Sequence, residues 1–175
     1  MNDTQSETPA VRADMPDWTR ERPRALWDPS RRLLQCQRRY QAARARSGLT
    51  AKWLRKWRAL QHRFWSLVTQ AEIPLNCEIG GGLKLPHPNG VVIHPGARIG
   101  PNCIIFQQVT LGTSSTRSGV PEIGGGVELG AGARVLGSVK IGDHAIIGAN
   151  AVVTHDIPEA AIAVGIPARV IAKRW

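Results

Sequence analysis

From Ile73 onward an aliphatic residue returns at every sixth position. It does so in three runs: Ile73, Ile79 and Leu85; then Ile93, Ile99, Ile105 and Leu111; then Ile123, Leu129, Val135, Ile141, Ile147 and Val153. Gly often follows the aliphatic, as at Gly100, Gly112, Gly130, Gly142 and Gly148, and a small residue often stands four positions after it, as at Cys77, Cys103, Ala133, Ala145 and Ala151. Six is too long for a helical period and is three times the period of a strand. The repeat suits a short flat strand that ends in a corner and starts again. Three such strands close one triangular coil, and stacked coils bury the aliphatics in a continuous column. The pattern predicts a mainly β chain, a parallel β-helix of hexapeptide repeats.

Upstream of Ile73 the pattern differs. Residues 1–23 mix Thr, Ser, Pro, Asp and Arg without apolar period and are expected to form a disordered leader. Residues 24–71 read as a basic α-helical segment, with Asp28-Pro29-Ser30 as a helix start and Gly48 as a break before a second helix. In that second helix Trp53, Trp57, Leu60, Phe64 and Leu67 share one face, and Lys52, Arg55, Lys56, Arg58 and Arg63 occupy the rest. Residues 72–175 form the β-helix domain.

Two places break the six-residue register, and breaks in a repeat fold map to loops that carry function. Leu85 and Ile93 are eight apart rather than six, so Pro86-His87-Pro88-Asn89-Gly90 must bulge outward. The polar stretch 112–120 lacks an aliphatic at position 117 although the phase survives across it, which reads as a looped-out coil. Of the five histidines, His62 lies on the amphipathic helix and His94, His144 and His155 occupy in-register coil or turn positions. His87 alone stands on an insertion, between two prolines.

Composition narrows the class. The formal net charge of +10 is concentrated N-terminally: residues 1–70 carry fifteen Lys or Arg against six Asp or Glu, and the remainder is close to neutral. No stretch approaches the roughly 18 to 20 apolar residues of a bilayer span, and the N-terminus lacks a signal-peptide pattern, so a cytoplasmic setting is expected. Cys36, Cys77 and Cys103 lack metal-ligand spacing and read as reduced thiols. A zinc hydratase on a similar scaffold needs three converging histidines, and only His87 and His94 lie near each other. No metal is expected.

Four motifs in order carry a resemblance: Pro86-His87-Pro88-Asn89-Gly90-Val91-Val92, Phe106-Gln107-Gln108-Val109-Thr110-Leu111-Gly112, Val127-Glu128-Leu129-Gly130-Ala131-Gly132-Ala133, and Gly165-Ile166-Pro167-Ala168-Arg169. The region from about Glu72 to Arg169 resembles the serine acetyltransferases and their polysaccharide-modifying relatives. That resemblance implies a left-handed parallel β-helix, a homotrimer, and acetyl-CoA as co-substrate in the groove between subunits. It places the catalytic base on His87 and its orienting carboxylate on Glu72, where serine enzymes have Asp. The cofactor groove falls on Thr110, Gly112, Ala131 and Ala149, and the nucleotide phosphates on Arg169 and Lys173. Mere corner residues and a solvated basic tail are the structural alternatives for these two groups.

The departures bear on the acceptor. Where serine enzymes carry charged groups that engage the amino acid, this chain has Pro86, Gly119 and Val120. The expectation is therefore an exopolysaccharide O-acetyltransferase of the colanic acid type, acting on a sugar hydroxyl. L-Serine acetylation is the alternative, and a non-catalytic scaffold or nucleic-acid-binding protein is the alternative of a different class, although no nucleic acid is expected. The basic Trp-rich helix, residues 50–70, either visits an anionic membrane surface or packs its aromatic face on the β-helix.

Overall fold

The computed structural model describes residues 12–44 and 47–175. Two antiparallel helices, α1 (Pro29–Arg44) and α2 (Leu49–Thr69), lead into a stack of short parallel strands. These strands form three sheets. One runs Glu78–Ile79, Arg98–Ile99, Glu122–Ile123, Lys140–Ile141; the second begins at Ile104–Ile105 and ends at Ala161–Val164 and Arg169–Lys173; the third runs Val92–Ile93, Thr110–Gly112, Arg134–Leu136, Val152–Val153. Strands of consecutive coils pair in register, Ile79 with Ile99 and Ile99 with Ile123, which stacks the repeat aliphatics into columns. The chain is a left-handed parallel β-helix, and its aliphatic columns are the core. The six-residue period specified this fold because each aliphatic points inward and the residue before it outward.

The first coil has no coil beneath it, so its backbone needs other partners. Helix α1 supplies them. Leu33 and Leu34 join the aliphatic core, while Arg38 donates to the carbonyls of Ile79 and Gly80 at 2.6 and 2.7 Å and Gln41 donates to Cys77 O at 3.3 Å. The helical segment and the β-helix thus share one core rather than parting at residue 72. At the far end, strand Arg169–Lys173 turns back antiparallel on Ala161–Val164 and closes the stack.

The expected leader divides in two. Its residues 1–11 lie outside the described residues, whereas residues 12–22 form an arm laid along the β-helix, with a 3-10 turn at Trp18–Glu21. Asn102 holds the arm by donating to Arg12 O and Met15 O, both at 2.7 Å, and by accepting from Asp17 N at 2.8 Å. Glu21 is buried, pairs with Arg38 at 2.9 Å and accepts from Leu83 N at 3.1 Å. The boundary expected at residue 23 therefore does not fall there. An arm anchored by backbone groups and one ion pair needs no apolar period, so composition alone read it as unstructured.

Candidate active site

Each coil turns three corners, and the three corner columns differ. One consists of Gln70, Gly90, Gln108, Gly132 and Asn150, all with positive φ between 55° and 72°. They are linked rung by rung, Gly90 N donating to Gln70 O, Gln108 N to Asn89 O, Gly132 N to Gln107 O and Asn150 N to Ala131 O. Gln70 also ends α2, so the helix delivers the chain directly onto the first corner. The two-residue insertion falls on the next rung. Pro86 and Pro88 hold it, and His87 projects as an exposed side chain at the edge of this column.

Glu72 begins the neighbouring row of outward positions. Its N–H donates to Val91 O at 2.8 Å and its carbonyl accepts from Ile93 N at 2.9 Å, which fixes it beside Val92, one coil below Thr110. The insertion and Glu72 thus flank the same corner from its two sides. Both side chains are exposed, and among the described residues no hydrogen bond or ion pair joins them. Glu72 lines a cleft of about 400 Å³ between α2 and the sheet, with His62, Gln70 and Val92.

The other two columns are covered over part of their length. The arm lies over the one built from Gly82, Asn102, Gly126, His144 and Ala160: a Cβ at Gly81 would meet the Trp18 ring at 2.6 Å, and one at Gly125 would meet Ala13. On the third column a loop folds over Gly137, whose Cβ would lie 2.7 Å from Arg117 O. Twelve residues separate Leu111 from Ile123 across this corner, where Ile93 to Ile99 takes six, so the loop is an insertion of one repeat length. That is why the phase survives it. On the Gln70 column the Cβ positions of Gly90 and Gly132 meet only Gln108 and Asn150 of the same column.

Ala131 and Ala149 stand on successive rungs of this uncovered corner, and Thr110 lies on the sheet beside it, whereas Gly112 ends the same strand at the third corner, where its carbonyl accepts from Gly137 N. Gly112 is not sterically required, since a Cβ there would meet Thr110 and Leu136 at ordinary contact distances of 3.7 and 3.8 Å. Arg169 reaches the uncovered corner, because Ala168 N bonds Val152 O. Lys173 does not, for it pairs with Ala161 at the opposite end of the last strand. The two cations expected to act together are separated by the length of that strand. Arg134 went unnoticed in the sequence: it lies between Thr110 and Val152 on the outward row and is exposed. Its place directly before the repeat aliphatic Val135 was the signal that could have found it.

Three further histidines, His62, His94 and His144, have structural surroundings. His62 is buried under α2, where desolvation lowers its pKa and keeps it neutral. His94 Nδ1 accepts from Gly96 N at 3.1 Å, and His144 stacks edge-on against Trp175 at 5.4 Å. The thiols are inert: burial pushes Cys77 up to about 11 and Cys103 up to about 12. Among the described residues no three His, Cys, Asp or Glu side chains come together as a metal site.

The coil stack of six-residue repeats is the fold of hexapeptide-repeat proteins. Residues 121–155 match the bacterial transferase hexapeptide (six repeats) family. More particularly, the chain is similar to serine acetyltransferases. It is 44% identical over 107 residues to that of Synechococcus elongatus, covering 60% of this chain and 44% of the relative. The serine acetyltransferase of Brucella abortus in complex with coenzyme A superimposes with a TM-score of 0.73 at 28% identity, covering 86% of this chain and 58% of that one. The soybean serine acetyltransferase complexed with serine gives 0.66 at 36% identity, covering 79% and 56%. The chain thus spans about half the length of these relatives.

This similarity overturns the expected sugar acceptor. Curated relatives 38–44% identical to the chain are serine acetyltransferases. Pro86, Gly119 and Val120 imply poor discrimination in favour of serine only where no other group engages the amino acid. Uncharged residues at three positions do not decide the acceptor, because the adjoining cleft also carries polar groups at Gln70 and Glu72.

Proposed function

We propose that this chain transfers the acetyl group of acetyl-CoA to the hydroxyl of L-serine, with His87 as general base. The observation that carries the proposal is the His87 insertion at the edge of the uncovered corner column. In support, the solved relatives of like fold include complexes with coenzyme A and with serine.

In this reading the pantetheine arm lies along the corner at Ala131 and Ala149, where small side chains let a ligand approach the backbone, with Thr110 beside it. Arg169 and Arg134 offer cations for the nucleotide phosphates; Lys173 lies at the wrong end of its strand to join them. His87 takes the serine Oγ proton as the oxygen attacks the thioester carbonyl. The tetrahedral intermediate then collapses, the C–S bond breaks, and the imidazolium returns the proton to the departing CoA sulfur. Glu72, across the corner, orients the imidazole and stabilises the imidazolium once its side chain closes on the ring, a hydrogen bond absent without substrate. A homotrimer, working in the cytoplasm where acetyl-CoA is supplied, would wall the groove with a neighbouring subunit.

Thiol release from acetyl-CoA tests the proposal. The expected result is release that depends on L-serine. Serine-independent release, or none at saturating acetyl-CoA and serine, would contradict it.

A further inference from the structure

Helix α2 is mounted with its apolar face outward. Trp53, Trp57, Leu60 and Phe64 are 75%, 55%, 59% and 52% exposed, and Leu67 and Val68 extend the same stripe. The side turned to the protein carries Ala51, His62 and Thr69, all buried, and the half-buried Trp65, which packs against the core. His62 follows Trp53 by nine residues, about two and a half turns at about 3.6 residues per turn, so the two faces are opposite. The stripe continues beyond the helix. Phe64 packs edge-on against Trp65 at 5.1 Å, and Trp65 meets the exposed Trp27 at 5.6 Å.

The alternative in which this face packs on the β-helix is therefore excluded within one chain. A contiguous aromatic and aliphatic surface of this size calls for a partner. Charge selects which. The helix Leu49–Thr69 carries Lys52, Arg55, Lys56, Arg58 and Arg63 and no Asp or Glu. Lys56 borders the stripe directly, its Nζ 5.9 Å from the Trp53 ring. Face-to-face pairing with the same helix of a second copy would oppose cations with no carboxylate between them. An anionic lipid surface satisfies both features, taking the indoles and Leu60 into the headgroup–acyl boundary and the Lys side chains against phosphates. No helix among the described residues is long and apolar enough to cross a membrane, so α2 would lie in the interface.

We infer that α2 is a peripheral membrane-binding helix for anionic lipid, docking through Trp53, Trp57, Leu60 and Phe64 with Lys52 and Lys56 at its border. The test is co-sedimentation of the full chain with vesicles of phosphatidylcholine alone and of phosphatidylcholine with about 30% phosphatidylglycerol, a leaflet charge range over which basic segments respond strongly. Binding to the anionic vesicles is expected at least about tenfold tighter, since each Lys or Arg contributes roughly fivefold. Raising ionic strength to about 1 M, where the Debye length is about 3 Å, should weaken it.

Two variants separate the contributions. Trp53→Ser with Trp57→Ser alters only exposed side chains and is expected to abolish binding with an unchanged circular dichroism spectrum. Lys52→Glu with Lys56→Glu is expected to remove the preference for anionic lipid. Equal binding to both vesicle types, or no binding, would overturn the inference. So would a fall in solution mass in the Trp53/Trp57 variant without any vesicle binding by the wild type, which would assign the face to contacts between copies.

Discussion

Two corners of the same β-helix have opposite fates. The column of Gly82, Asn102 and Gly126 is sealed by the chain's own N-terminal arm, and the column of Gln70, Gly90 and Gly132 is left open beside the His87 insertion. Both are built from the same repeat, so repeat chemistry alone does not make a site. What differs is the cover: a strap of backbone hydrogen bonds on one, small side chains and a displaced histidine on the other. The sealed corner contributes stability, and the open one is free for chemistry.

Substitutions divide along the same line. The largest effect is expected at the open corner, where His87→Ala should lower kcat by about 10² to 10⁴, the usual worth of a general base, with no change in Tm because the side chain is exposed. Retained activity in that variant would remove the assigned base. Next comes the sealed side. Glu21→Ala leaves Arg38 without its partner and should cost about 3 kcal/mol in a denaturant titration while kcat is kept. Asn102→Ala, which loses three bonds to the arm, should cost about 1 to 3 kcal/mol and likewise spare the KM for acetyl-CoA. Ala149→Trp should do the reverse, raising that KM about tenfold, roughly 1.4 kcal/mol, with Tm unchanged. A loss of stability in Ala149→Trp would show that the open corner is packed after all.

Much of this was legible beforehand, and for a physical reason. The period of six reports which side chains point inward, and eight residues between Leu85 and Ile93 force an outward bulge whatever surrounds it. Periodicity is silent about features that do not repeat. The arm at residues 12–22 is anchored by Asn102 and by the Glu21–Arg38 pair, which no pattern in the arm itself announces. The stripe of α2 was visible as a face, but helical spacing does not say which side faces the protein. The acceptor is not legible from Pro86, Gly119 and Val120, because the polar groups of the adjoining cleft at Gln70 and Glu72 come together only in the fold.

An effect confined to alkaline pH concerns the core shared by both corners. Cys77 and Cys103 are raised from an ordinary value of 9.0 to about 11 and about 12, so folded chains hold these protons where unfolded ones release them. The unfolded state then binds fewer protons above pH 9, and stability should fall as pH rises from about 9 toward 11 to 12. Replacing both by Ala should flatten that slope in thermal melts between about pH 8 and 11. An unchanged slope would assign it to other groups.

The most direct measurement is a crystal structure with coenzyme A and L-serine bound. The account predicts the pantetheine along the corner carrying Ala131 and Ala149, with the serine hydroxyl within hydrogen-bond reach of His87, about 2.6 to 3.2 Å. Coenzyme A seated on the arm-covered corner, or a serine hydroxyl beyond the reach of His87, would contradict it.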